Sequence, residues 1–216
     1  DIQFKGYSTS IRDYNFVFEG NNIKGNGGDE IEFWGAATTT GKYLIKDNVI
    51  DSANVYISYA KKALVQGNTI KNCTDYHEPG LDIYSTSAVI ENNTIKDHRG
   101  TGLNLYTHQD ANTVTDTVRN NIITGNNTYN HSNWVGGIEV NGYGNHVIWY
   151  NDIYDNSNNY YDLWVGTPYL SGALDARFNY WGTTTTAQMN QGDNPKNIDK
   201  IYDYYDNNSY SAVNYA

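Results

Sequence analysis

Seven times along this chain an asparagine stands two residues ahead of a large apolar side chain. The pairs are Asn21/Ile23, Asn48/Ile50, Asn68/Ile70, Asn93/Ile95, Asn121/Ile123, Asn151/Ile153 and Asn179/Trp181, at intervals of 27, 20, 25, 28, 30 and 28 residues. Between them lie short alternating runs: EIEFW (30–34), NVYIS (54–58), GLDIY (80–84), GLNLY (102–106), GIEVN (137–141) and YYDLW (160–164). Period-two alternation sends successive side chains to opposite faces of a strand. The inward set then reads Ile31/Phe33, Val55/Ile57, Leu81/Ile83, Leu103/Leu105, Ile138/Val140 and Tyr161/Leu163.

A unit of a little over twenty residues cannot bury its own apolar face, but stacked copies make one continuous core. The repeat therefore predicts an all-β, single-stranded parallel β-helix of about seven coils, with equivalent strands ~4.8 Å apart up the stack. The asparagines fall at one turn and are expected to form an amide ladder along the axis. A β-sandwich would not return the same Asn phase once per two or three strands, and a propeller needs four strands per blade. With 21 Tyr, 20 Gly and three Pro, the composition favours strands and turns over long helices. The repeat fails from Gly182, so residues 1–181 are read as coils and 182–216 as a C-terminal cap, with Ile201, Tyr202, Tyr205 and Val213 as its packing residues. No equivalent N-terminal cap is visible, and other domains of a larger surface protein are expected.

The formal net charge of −10 argues against nucleic acid, which needs a basic face. No apolar run is long enough to span a bilayer, and the lone Cys73 excludes an internal disulfide. Asn-X-Ser/Thr triplets at Asn72, Asn92, Asn126, Asn130 and Asn207 fit an extracellular or cell-surface location.

Outward positions of the alternating runs line up as two columns. One reads Glu32, Tyr56, Asp82, Asn104, Glu139, Asp162; the other reads Trp34, Ser58, Tyr84, Tyr106, Asn141, Trp164. Aromatic faces stack on sugar rings while carboxylates bind hydroxyls, hold a cation or move protons. Glu32, Trp34, Tyr56, Tyr84, Asn104, Tyr106, Asn141 and Trp164 are thus candidate saccharide contacts. Asp82 and Glu139, two coils apart at ~10 Å, approach the spacing of an inverting glycosidase pair. Glu139 and Asp162, on adjacent coils, fit either the shorter retaining spacing or a hard-cation site such as Ca²⁺. A lyase would instead draw on His77, His108, His131, Lys61, Lys62 and Arg99. His108 is taken as a loop-borne helper, because 107–113 and 124–137 form the surplus of the longest coil and, with 71–80, are the candidate binding loops.

The coils GNTIKNC and NNTIKDHRGTGLNLY, with the ending FNYWGT…IYDYYDNNS…VNY, resemble the right-handed parallel β-helix repeats of the pectate-lyase-like superfamily. The segment GGDEIEFWGAATTTGKYLIKDNVI is similar to the disaggregatase-associated domain of surface proteins from methanogenic archaea. That resemblance implies a hydrolase or lyase that degrades an acidic cell-surface heteropolysaccharide, or a non-catalytic adhesion module that binds glycan, with an acidic or neutral polysaccharide as the partner. Pectate lyases of the superfamily carry Asp clusters for Ca²⁺ and an Arg base, and no Arg stands in either column here.

Overall fold

The computed structural model describes residues 2–6, 15–35, 42–111, 113–129, 136–157 and 159–215. The chain winds into a parallel β-helix of about six turns. A representative coil runs through three short strands, Leu81–Tyr84, Ala88–Glu91 and Thr94–Lys96. Each pairs in parallel with its equivalents one coil away: Leu81–Tyr84 lies between Val55–Ser58 and Leu103–Tyr106, and Thr94–Lys96 lies between Thr69–Lys71 and Ile122–Thr124. The first and third faces belong to one 12-stranded sheet, and the second face is an 8-stranded sheet. The seven asparagines bound six intervals, which is why seven copies of the motif give about six turns rather than seven.

The interior is a set of aliphatic stacks. Val55, Ile57, Leu81, Ile83, Leu103, Leu105, Ile138 and Val140 are fully or almost fully buried, as the alternation predicts. Ile50, Ile70, Ile95, Ile123 and Ile153, each two residues after a repeat Asn, form another stack. At the N-terminal end Phe33 packs edge-on against Phe16 and Phe18, each at 5.5 Å. At the other end Trp181 is the largest fully buried side chain. Beyond it come the helix Gly182–Met189 and two short strands. Ile201–Tyr202 extends one sheet beside Leu163–Trp164, and Val213–Asn214 extends the other beside Leu174–Asp175.

The predicted asparagine ladder is present from Asn21 to Asn179. Each Oδ1 accepts both the backbone N–H and the amide N–H of the asparagine one coil earlier, at 2.8–3.0 Å. The second amide proton goes to a backbone carbonyl, as from Asn93 to Val65. The residue before every ladder Asn has a positive φ, from Gly20 through Asp47, Gly67, Asn92, Asn120, Tyr150 and Phe178. That left-handed residue makes the bend, so Gly, Asn and Asp dominate the position, and Tyr150 and Phe178 hold it against their own preference.

A second ladder, whose rungs are of mixed residue type and so do not form a sequence repeat, stands five residues further on. Cys73 N–H donates to His98 Nδ1, His98 N–H to Asn126 Oδ1, Asn126 to Asn156 Oδ1, and Asn156 to Asp162 Oδ1. Asn72, Asp97, Gly125 and Asp155, each preceding a rung, again have positive φ.

Asn93→Ala removes the acceptor of two N–H groups on Asn68 and the donors to Val65 and Asn121. We expect it to lower the unfolding free energy by about 3 kcal/mol or more. Asn21→Ala, at the open end of the ladder, should cost only about 1 kcal/mol. Denaturant unfolding of the two variants checks the difference.

Candidate functional site

The first face of the helix carries the outward columns. Strand pairing aligns Glu32 with Tyr56, Tyr56 with Asp82, Asp82 with Asn104, and Asn104 with Glu139. The next coil departs from expectation: Glu139 stands opposite Trp164, and Ile138 opposite Leu163. Alternation in YYDLWV says which side chains point inward but leaves the register along the strand open by two residues. The inward pair is therefore Leu163/Val165, and Tyr161 is only half-buried. Asp162 does not stand above Glu139. It is 2 % exposed and accepts both the backbone and the amide N–H of Asn156, ending the second ladder. The paired-carboxylate cation site at Glu139 and Asp162 is accordingly not formed. Among the described residues no group of three or more His, Cys, Asp and Glu is placed to hold a metal ion.

The corrected register leaves a polar segment, Asp82–Asn104–Glu139, bracketed along the axis by Tyr56 and Trp164. Asn104 Nδ2 donates to Asp82 Oδ1 at 2.8 Å. Asn104 Oδ1, on the side of the amide away from Asp82, is buried without a partner. Asn141 donates its amide to Glu139 Oε1. Burial pushes the Asp82 carboxyl up to about 7; the Asn104 bond opposes this, and the negative charges of Glu78 and Glu139 add to it. Burial likewise takes Glu139 to about 7 against the Asn141 bond. Burial thus holds both carboxyls well above the ordinary carboxylate range.

Two further carboxylates join this face that the columns omitted. Glu30, two residues before Glu32 and on the same parity, accepts from Asn54 at 3.0 Å and bonds the Glu32 carboxyl. Desolvation, then the Glu32 contact, raise it to about 7. Its parity with Glu32 was the available signal. Glu78 lies on the 71–80 loop, which folds back so that Thr74 and Asp75 N–H donate to the Gly27 carbonyl. The loop brings Glu78 close enough to raise both Glu30 and Asp82. Nothing in the local sequence marks Glu78, because its position depends on where that loop lands.

The aromatic column is continuous over the first coils. Trp34 and Tyr56 lie 6.3 Å apart, Tyr56 and Tyr84 6.3 Å, and Tyr84 and Tyr106 stack at 5.0 Å with 17° between planes. Trp164 belongs to a separate cluster with Tyr202 and Tyr210.

The loop-borne groups are dispersed. His108 lies not over the carboxylates but in a corner cavity with Lys61 and Lys62, four residues along the strand from Asn104, ~13 Å away. Its strand continues past the aromatic column and carries it to the next bend. His77 Nδ1 lies 3.3 Å from an Asp75 carboxylate oxygen, and Arg99 lies over the rings of Tyr76 and Tyr129. His131 lies outside the described residues. Among the described arginines, Arg119 pairs with Glu91 and Arg177 with Asp175, so none supplies a base to the column.

Over residues 2–151 the sequence matches the family described as the right-handed β-helix region, and the chain belongs to that family. Comparison with curated proteins and with solved structures found no match.

The buried rung His98 supplies a pH-dependent stability term. It is 0 % exposed, its Nδ1 accepts from Cys73 N–H, and its Nε2 lies 3.1 Å from the Ile70 carbonyl. Burial lowers its pKa to about 4. The unfolded chain therefore takes up the proton first, and the contribution is complete above about pH 6.5 and lost as pH falls toward 4. The loss amounts to about 3 kcal/mol. Glu30, Asp82 and Glu139, raised, act with the opposite sign, weakening the fold as pH rises from about 4 to 7. His98→Asn, which keeps the ladder chemistry of Asn126 and Asn156, should remove the acid-sensitive term. Denaturant unfolding of both proteins at pH 4.5 and 7 reads the difference.

Proposed function

We propose that the protein is an extracellular, polysaccharide-directed β-helix that cleaves a heteropolysaccharide of the kind its disaggregatase-like repeats imply. The observation that carries this reading is the pair Asp82 and Glu139, two coils apart in one column and both held near neutrality. At ~10 Å they stand at the upper end of the spacing that admits a water beside a glycosidic bond. The hydrolytic step follows from that arrangement. The protonated carboxyl gives its proton to the glycosidic oxygen as the bond from anomeric carbon to oxygen breaks. The ionised carboxyl takes a proton from the water that attacks the anomeric carbon, and the configuration inverts.

Each carboxyl carries one amide donor, Asn104 on Asp82 and Asn141 on Glu139, and both are raised to about 7, so either can hold the proton while the other serves as base. Tyr56 and Trp164 flank the pair as platforms for sugar rings on either side of the broken bond, with Trp34, Tyr84 and Tyr106 beside them. A β-eliminating lyase would need a cation next to the base, and Lys61, Lys62 and His108 lie in the corner cavity instead.

A second reading, a non-catalytic adhesion module, draws on the Trp34–Tyr56–Tyr84–Tyr106 ladder, which would hold a glycan without chemistry. Release of reducing ends from a polysaccharide separates the two. Asp82→Asn and Glu139→Gln should each reduce the rate by about 10²–10⁴-fold while glycan binding persists. The rate should follow a bell around neutral pH, with both limbs set by the carboxyl pair. Activity unchanged in both variants defeats the assignment, and ultraviolet absorbance from an unsaturated product would indicate elimination.

A further inference from the structure

At the corner between the first and second faces the aromatic ladder runs into a cavity of about 590 Å³. Tyr59, on its rim, packs edge-on against Tyr84 at 5.2 Å. The polar lining is rich in donors. Ser85 Oγ accepts the His108 backbone N–H at 2.9 Å, and Ser87 Oγ accepts that of Thr115 at 3.3 Å, so each hydroxyl keeps its own proton to give. Lys61 and Lys62 line the cavity, both exposed, and neither forms an ion pair among the described residues. Lys42 stands directly beside Lys62 in the neighbouring strand, a like-charge contact that destabilises the sheet unless an anion answers it. By contrast Lys46, Lys71 and Lys96 all have carboxylate partners. The one carboxylate of the lining, Asp110, is 92 % exposed and sits 3.4 Å from His108 Nδ1.

We infer that this corner cavity is a subsite for an anionic substituent, a carboxylate or a sulfate, on the glycan whose rings lie along the aromatic ladder. The inference rests on the glycan reading above and adds the place where the acid of an acidic glycan is read. The carboxylate column repels an anion, so a charged sugar has to present its acid away from Asp82 and Glu139. The corner supplies two unpaired ammonium groups and two hydroxyl protons at the end of the same row of rings. Ammonium and hydroxyl donors hold either oxyanion by charge-assisted hydrogen bonds.

Calorimetric titration with three probes tests this: an oligogalacturonate, its carboxyl-reduced counterpart, and a sulfated galactan oligosaccharide. The wild-type protein should bind one of the two anionic probes at least about tenfold more tightly than the reduced one. Which of the two it prefers identifies the group. The double variant Lys61→Gln/Lys62→Gln, shown to be folded by circular dichroism, should lose that preference while binding the reduced probe as before. Equal wild-type affinity for charged and reduced probes, or a preference that survives the double substitution, overturns the subsite and leaves the glycan reading standing. Failure of the wild type to bind any of the three overturns both.

Discussion

The hydrogen bond from one asparagine amide to the next, repeated once per coil, is the constraint on which the rest of this molecule depends. A tight bend strips the backbone of its sheet partners, and buried N–H and C=O groups left unpaired each cost about 1–3 kcal/mol. Here a left-handed residue makes the bend, and the following Asn satisfies the groups it exposes. Its Oδ1 takes two donors from the coil before, and its Nδ2 gives to a carbonyl and to the next Oδ1. The second ladder, through His98, Asn126, Asn156 and Asp162, repeats the arrangement five residues later. Together the two ladders hold both ends of the short third strand.

Strand register decides which outward groups meet. Because the strands of the first face pair in parallel, Asp82, Asn104 and Glu139 stand in one column. The surrounding side chains of that face remove enough water to raise both carboxyls to about 7. The same ladder that stabilises the scaffold also draws Asp162 out of the outward set. A carboxylate that reads as functional in a strand pattern thus serves as the terminal acceptor of Asn156.

Most of the fold could be read from the sequence because both of its signals are local. The Asn phase and the period-two alternation each need only a few consecutive residues, and the aliphatic stacks at Leu81/Ile83 and Leu103/Leu105 followed directly. The second ladder was also written at a fixed offset, but its rungs change type from Cys73 to His98 to Asn126, and a search for one repeated residue does not see them. Five of the six coils across the site align as the alternation predicts, for the same local reason. The sixth differs because alternation does not fix register along the strand, and Asp162 and Trp164 share the same parity.

The sequence by itself determined that this chain stacks in parallel coils, which aliphatics fill them, and that carboxylates and aromatics share one outer face. Those properties follow from side-chain periodicity and from the bend chemistry of Asn and Gly, both of which act over a few residues. Only the tertiary structure decided that Trp164, not Asp162, faces Glu139, that Glu78 reaches Asp82 on a returning loop, and that His108 joins Lys61 and Lys62 in a corner. Each of these depends on where one coil sits relative to the next. That relation is set by hydrogen bonds between residues 20 to 30 positions apart, which no local pattern contains.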